Sequence, residues 1–187
     1  MKIHARTERL LLRDWTDDDR APYTDIVTDP VVMQHIGDGQ PRTPDYARSF
    51  VDAQMAHQAD RGWMRFAVEH AASGAFMGFC GLDTMPVDAR GHDLGRLDFG
   101  WRYGRDWWSS GFGFEAASAA LFVARESFGL THITCQSYLE NPGSIRIMQK
   151  MGMREIGADT AHGRPLVVYG FPDEWPAGKL PQGCARD

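Results

Sequence analysis

The stretch Trp107-Trp108-Ser109-Ser110-Gly111-Phe112-Gly113-Phe114-Glu115-Ala116 decides how this chain is read. A strand-like run, Leu94 to Tyr103, stops just before it. A helical pattern with Phe112, Ala116, Ala120 and Val123 on one face opens inside it. Glycines at such a junction let the backbone approach a ligand closely, and the first N–H groups of a helix have no partner within it. The positive end of the helix dipole then favours an anion, for which a phosphate-bearing cofactor is the natural source. A Gly-x-Gly turn also serves simply to begin a helix, so these residues alone leave both readings open.

Outward from the turn, the chain alternates strands and helices without an internal repeat. Glu8 to Asp14, centred on Leu10-Leu11-Leu12, reads as the first strand. Thr16-Asp17-Asp18-Asp19 resembles a capping box and opens a helix to about Val27, ended by Asp29-Pro30. Thr43-Pro44-Asp45 opens a second helix to about Asp60, closed by Gly62. Arg65–Glu69 and Phe76–Leu82 form a hairpin through Ala72-Ser73-Gly74, and a polar loop with Pro86, Arg90 and Gly91 leads to the Leu94–Tyr103 strand. Beyond the glycine helix follow a strand at His132–Tyr138, a short helix at Pro142–Met151 and two strands, Met153–Ala158 and Pro165–Phe171. Residues 1–175 read as one domain and 176–187 as a loose tail. A meander followed by strand–helix–strand predicts an α/β fold: a mixed, mostly antiparallel sheet flanked by helices. The ligand is expected at the carboxyl end of the strand that feeds the glycine helix.

The composition of the 187 residues, 43% hydrophobic, is that of an ordinary globular protein. No apolar run approaches the roughly 20 residues of a membrane span, and the start lacks a signal peptide's apolar segment. A net charge of -5 argues against nucleic acid or an anionic membrane as partner, so a phosphate must be held by local geometry. Cys80 and Cys135 sit in apolar strands as buried thiols, Cys184 is a third, and no Cys-x-x-Cys occurs. The seven histidines are scattered, so no metal site is expected, and the cytoplasm is the default compartment. Trp15, Trp63 and Trp175 read as core.

Gly111-x-Gly113-x-x-Ala116 also matches a dinucleotide fingerprint, with Glu140 ending the next strand. The context is wrong: Gly104 to Trp108 separates strand from turn, and a meander comes first. A Walker lysine and a Gly-x-Ser-x-Gly elbow are absent.

The chain carries Thr7-Glu8-Arg9-Leu10-Leu11-Leu12-Arg13, Asp29-Pro30-Val31-Val32-Met33 and the Gly62–Leu82 strand pair. It continues through Asp98-Phe99-Gly100-Trp101, the Trp107–Ala116 tract, Asn141-x-x-Ser144, Lys150-Met151-Gly152-Met153, Val167-Val168-Tyr169 and Glu174-Trp175. In this order and spacing the chain from Thr7 to Trp175 resembles the GNAT N-acetyltransferase superfamily, specifically its RimJ/RimL-like branch. The resemblance implies acetyl-CoA as co-substrate, bound where the fourth and fifth strands splay apart. By similarity, its pyrophosphate lies on the amides of Ser109, Ser110, Gly111, Phe112, Gly113 and Phe114, with Trp108 beside them. Its pantetheine arm adds to the strand edge at Phe99, Gly100 and Trp101, and Asn141 fixes a pantetheine amide or caps the helix that follows. The activity implied is acetyl transfer to a primary amine, of a protein N-terminus or a small molecule, in a possible homodimer.

Amide formation needs a neutral amine, a stabilised oxyanion and a proton for the departing thiolate. Asp98 is a poor strand former next to Gly100, which leaves room for a ligand, and this makes it the candidate base or amine-orienting carboxylate. The alternative is an ion pair with Arg96, Arg102 or a neighbouring strand's cation. Glu69 and Glu140 are weaker candidates. Many GNAT enzymes carry a tyrosine four residues before the glycine of the last helix, where this chain has Met148. Ser144 is the family-consistent substitute donor, or an ordinary helix-start hydroxyl. The oxyanion would rest on a backbone N–H near Trp101. Glu115 reads as structural, a carboxylate near the positive end of its helix. The acceptor cleft is expected between the first two helices with the Ile36–Gly39 loop and a short, open Asp159–Arg164 segment. Asp17, Asp18, Asp19 and Asp38 either attract a cationic amine there or serve capping and solubility. The rival class is a CoA-binding or oligomerising module without chemistry.

Overall fold

Leu10-Leu11-Leu12, Phe66-Ala67-Val68 and Met77 to Leu82 can be buried on both faces of a sheet, and all of them pair. The computed structural model describes residues 1–84 and 96–172. Among these, one sheet contains β1 (Ile3–Arg6), β2 (Leu10–Arg13), β3 (Arg65–His70), β4 (Phe76–Thr84), β5 (Leu97–Tyr103), β6 (Ile133–Tyr138), β7 (Arg154–Ala161) and β8 (Arg164–Gly170). Their spatial order is β1-β2-β3-β4-β5-β6-β8-β7, antiparallel throughout except for β5 beside β6. The helices are α1 (Arg20–Thr28), α2 (Pro30–Met33), α3 (Pro44–Asp60), α4 (Phe112–Phe128) and α5 (Pro142–Lys150). The polar loop with Pro86, Arg90 and Gly91, the strand start at Leu94, Glu174-Trp175, Cys184 and the tail 176–187 lie outside the described residues. No helix among the described residues is long and apolar enough to cross a membrane.

Two elements are additional to those expected. β1 is a four-residue edge strand whose Ile-His-Ala-Arg has no apolar pattern. It is fastened by His4, which hydrogen-bonds Asp14 at 2.8 Å and packs on Phe66 at 4.6 Å. With β1 counted, the splaying strands are β5 and β6. At Asp29-Pro30 the chain does not simply stop: the Asp29 carboxylate accepts from the Val31 N–H at 2.8 Å and caps α2.

α1 and α3 cover one face through stacked aromatics, with Tyr23–Phe50 at 4.8 Å and Phe50–Phe79 at 5.2 Å. Trp15 closes this cluster, 1% exposed, whereas Trp63 is half-buried beneath the Arg61 guanidinium at 3.7 Å. α4 covers the opposite face with Ala116, Ala117 and Ala120 fully buried. The feature that positions the site is the parallel pair. β5 and β6 meet only at Leu97–Ile133 and Asp98–Thr134; beyond that β5 follows β4 and β6 follows β8, so a wedge opens toward their carboxyl ends.

Candidate active site

At the mouth of the wedge the chain leaves β5, makes a single 3-10 turn and enters α4 through Gly111. Trp108 does not join the core: it is exposed, and its Nε1–H donates to the Tyr103 carbonyl at 2.9 Å. Ser109 at φ 60° and Gly111 at φ 83° are left-handed, which turns the backbone sharply before the helix. The N–H groups of Gly111, Phe112, Gly113 and Phe114 head α4 and have no intrahelical partner. Four adjacent donors at the positive end of a 17-residue helix suit a diphosphate.

The two glycines serve different ends. A Cβ on Gly111 would meet Arg9 Nη2 at 3.5 Å, so its requirement is the backbone angle. A Cβ on Gly113 would stand 2.8 Å from Ile147 Cδ1, so its requirement is the close packing of α4 on α5.

The loop is clamped from behind. Arg9 donates Nη1–H to the Ser110 carbonyl at 3.0 Å and Nε–H to the Glu115 carboxylate at 2.7 Å, with its guanidinium 4.3 Å above the Phe112 ring. The Thr7 hydroxyl donates to the other Glu115 oxygen at 2.5 Å. Burial would push the Glu115 carboxyl up, but the bonds from Thr7 and Arg9 hold it below its ordinary value. Glu115 thus fastens the loop within the fold, and the Ser110 carbonyl is tied back by Arg9. Thr7 and Arg9 belong to the stretch that carried the family resemblance, but nothing in their local pattern revealed a partner a hundred residues away.

The wedge holds a cavity of about 360 Å³ that brings together Asp98, Phe99, Gly100 and Trp101 of β5 with Asn141 and Ser144 at the start of α5. The glycine turn lies apart from it, at the head of α4. Asp98 is paired with a nearby strand's cation, one of its expected alternatives: Oδ2 accepts from Arg65 Nη2 at 2.5 Å. Arg65 also faces Asp83 at 3.5 Å, and Asp83 in turn accepts from Arg61 at 2.7 Å. Burial would lower the Arg65 pKa, but Asp98 and Asp83 hold it above the ordinary guanidinium value. Among the described residues Asp98 Oδ1 accepts no hydrogen bond.

Asn141 Oδ1 accepts from the Ser144 N–H at 3.2 Å, so Asn141 is the N-cap of α5 while its NH₂ group is not used by that cap. The Ser144 hydroxyl has no partner among the described residues and lines the cavity. Met148 is 0% exposed in the core, so this position offers no proton donor to the cleft. Glu69 and Glu140 are engaged elsewhere, with Arg13 at 2.6 Å and Arg164 at 2.8 Å. Asp19 is buried against Arg13 at 2.8 Å, Asp17 pairs with Arg20 and Asp38 with Arg42; none of them lines the cavity.

His35, Ile36 and Gly37 form one wall of the cavity, as expected of that loop, and Ala161 and His162 border it from the β7–β8 turn. This side is not open. Arg164 donates to the Gln34 carbonyl at 3.0 Å, and Tyr138 donates its hydroxyl to the Gly37 carbonyl at 2.5 Å. Tyr138 and His35 line the cavity without having been singled out in the sequence, and Arg102 entered there only as a possible partner of Asp98. Burial, reinforced by Arg164, lowers the His35 pKa, so the imidazole is neutral at pH 7. Lone residues of these types carry no local signal; only the fold gathers them.

Comparison with known proteins gives a concordant result. The model of the acetyltransferase (GNAT) domain matches residues 9–154. YnaD of Bacillus subtilis, named an uncharacterised N-acetyltransferase, is 27% identical over 157 residues, covering 83% of this chain and 85% of that protein. A GNAT-family acetyltransferase structure from Bacillus anthracis superposes with a TM-score of 0.74 at 25% identity, covering 90% and 96% of the two chains. RimL, a ribosomal-protein alpha-N-acetyltransferase solved with coenzyme A, shares the fold at a TM-score of 0.72 and 12% identity, covering 90% and 96%.

Proposed function

The chain belongs to the GNAT acetyltransferase family, and from that premise we propose that it transfers the acetyl group of acetyl-CoA directly to a primary amine held in the β5–β6 wedge. The observation that carries this reading is the head of α4, where the N–H groups from Gly111 to Phe114 have no partner within the helix; a separate cavity in the wedge gathers Asp98 and Ser144. Acetyl-CoA brings an activated acyl carbon; the chain must bind it, orient the amine and manage protons. Ser109 to Phe114 hold the diphosphate, beside Trp108. The edge of Phe99, Gly100 and Trp101 left unpaired by the splay pairs with the pantetheine amides, as another strand would. The NH₂ group of Asn141 serves the same arm.

An alkyl amine is mostly protonated at pH 7. Asp98 receives it on Oδ1 while Arg65 fixes Oδ2, and the surplus proton leaves through that carboxylate or a water beside it. A backbone N–H near Trp101 stabilises the oxyanion. The Ser144 hydroxyl, without a partner among the described residues, protonates the departing thiolate. The acceptor is a small amine or a peptide N-terminus, as in the RimJ/RimL-like branch, a placement supported by the quoted motifs and the fold shared with RimL. The free, buried thiols of Cys80 and Cys135 fit a reducing, cytoplasmic setting.

Met148 in the core favours a second reading, a module that binds CoA without turnover. Thiol release from acetyl-CoA over a panel of amines and short peptides separates the two. Acetylation of any member supports the enzyme. Stabilisation by CoA, about 2.7 kcal/mol at 100 times its Kd, with no turnover on the whole panel supports the module.

A further inference from the structure

Arg102 stands on the β5 face that also presents Asp98 and Gly100, and it lines the same cavity. It is 9% exposed. Its Nη1–H donates to the Tyr23 hydroxyl at 2.9 Å, and its Nε is buried without a partner. Tyr23 is no counter-ion, because burial pushes its phenol far above the ordinary value and keeps it neutral. No carboxylate among the described residues pairs with Arg102. The nearby ones are matched already, Asp98 by Arg65 and Asp83 by Arg61 and Arg65. Arg65 and Arg102 also share the Phe79 ring, at 5.7 and 5.5 Å, so two cations crowd one face and, among the described residues, only Arg65 has carboxylate partners. A buried cation without a counter-ion is costly unless something that binds there supplies one.

We propose that Arg102 anchors a carboxylate carried by the acceptor, so that the preferred acceptors are amino-carboxylates and not polyamines. The proposal rests on the acetyl-transfer reading, with the amine at Asp98. Asp98 and Arg102 are four residues apart on one strand face, a span of about 13 Å between Cα atoms. An acceptor that uses both therefore carries its amine and its carboxylate several bonds apart, as ω-amino acids and short peptides do.

The test measures thiol release from acetyl-CoA with glycine, aminohexanoate and alanyl-glycine, each against its carboxamide, and with spermine as the cationic control. Aminohexanoate or alanyl-glycine exceeds its carboxamide by about 100-fold in kcat/KM, and whichever leads identifies a free amino acid or a peptide as the source. In Arg102→Gln the acid-to-amide ratio falls to near one, and Arg102→Lys keeps part of it. Thermal stabilisation by CoA reports that each variant is folded. A ratio that survives in Arg102→Gln, or carboxamides or spermine serving as well as the acids, overturns the proposal. Calorimetric titration of aminohexanoate and its carboxamide into the CoA-bound protein separates this from the activity itself. Heat from the acid alone, lost in Arg102→Gln, supports the anchor even if no acceptor is acetylated, in which case the acetyl-transfer reading fails instead. Equal heats, or none from the acid, overturn the anchor.

Discussion

A methyl group at Gly113 would press on the Ile147 side chain, whereas one at Gly111 would find room but an unfavourable backbone angle. Gly113→Ala therefore lowers the stability of the ligand-free protein by about 1–3 kcal/mol through overpacking. Gly111→Ala costs about 1–2 kcal/mol through its left-handed φ, and weakens CoA binding more than Gly113→Ala does. Denaturant midpoints with calorimetric CoA titrations of both variants check this; equal losses of affinity would contradict it. The chemical residues separate in the same way. Asp98→Asn lowers kcat by about 100-fold with little change in CoA affinity, measured by thiol release and titration, and unchanged turnover rejects the assignment. Ser144→Ala keeps the backbone N–H that caps α5 and removes only the hydroxyl. Full activity in that variant leaves water as the proton donor. Asp98 stands out in the sequence because it breaks strand propensity beside a glycine, and it lines the cavity. Its Arg65 partner was legible only as a class, since one strand, β4, lies between their positions in the sheet and no local spacing joins them.

Elements were legible where composition repeats at the right period, as in the β3–β4 hairpin with its Gly74 turn and in the alanine face of α4. β1 was not, because a short edge strand of mixed polarity takes its stability from its neighbour. The clamp between the β1–β2 turn and α4 was hidden for the same reason: Thr7 and Arg9 meet Glu115 only in the folded chain. That clamp makes a pH-dependent prediction. The Glu115 pKa is held below its ordinary value of 4.5, so its contribution is complete above that value and lost as pH falls through the folded-state value. Glu115→Gln therefore costs roughly 1–3 kcal/mol at pH 7 by loss of charge-assisted hydrogen bonds, and the gap from the parent closes in acid below that value. Denaturation curves from pH 7 to pH 3 measure it. A gap that stays constant with pH would mean that packing, not charge, fastens the loop.

A net charge of -5 coexists with a cleft lined by Arg102, which has no carboxylate partner among the described residues, and with a helix start whose first N–H groups have no partner within the helix. In the proposed reading, local placement and not overall charge draws anions to the wedge, a reversal that composition does not locate. The same burial that builds the core silences its thiols. Burial pushes the Cys80 pKa up to about 12 and that of Cys135 well above the ordinary thiol. Neither is alkylated by iodoacetamide at pH 8 until the protein is unfolded, as peptide mapping by mass spectrometry will record; rapid labelling of either in the native protein would contradict the packing described. The central claim is that main-chain amides at the head of α4 hold the diphosphate of the acyl carrier. Backbone amide spectra recorded during titration with CoA and, separately, with pantetheine test it most directly. The account predicts large shifts at Ser109, Ser110, Gly111, Phe112, Gly113 and Phe114 with CoA that pantetheine, which lacks the diphosphate, does not produce. Equal shifts with both ligands, or none at these six amides on saturation with CoA, would contradict it.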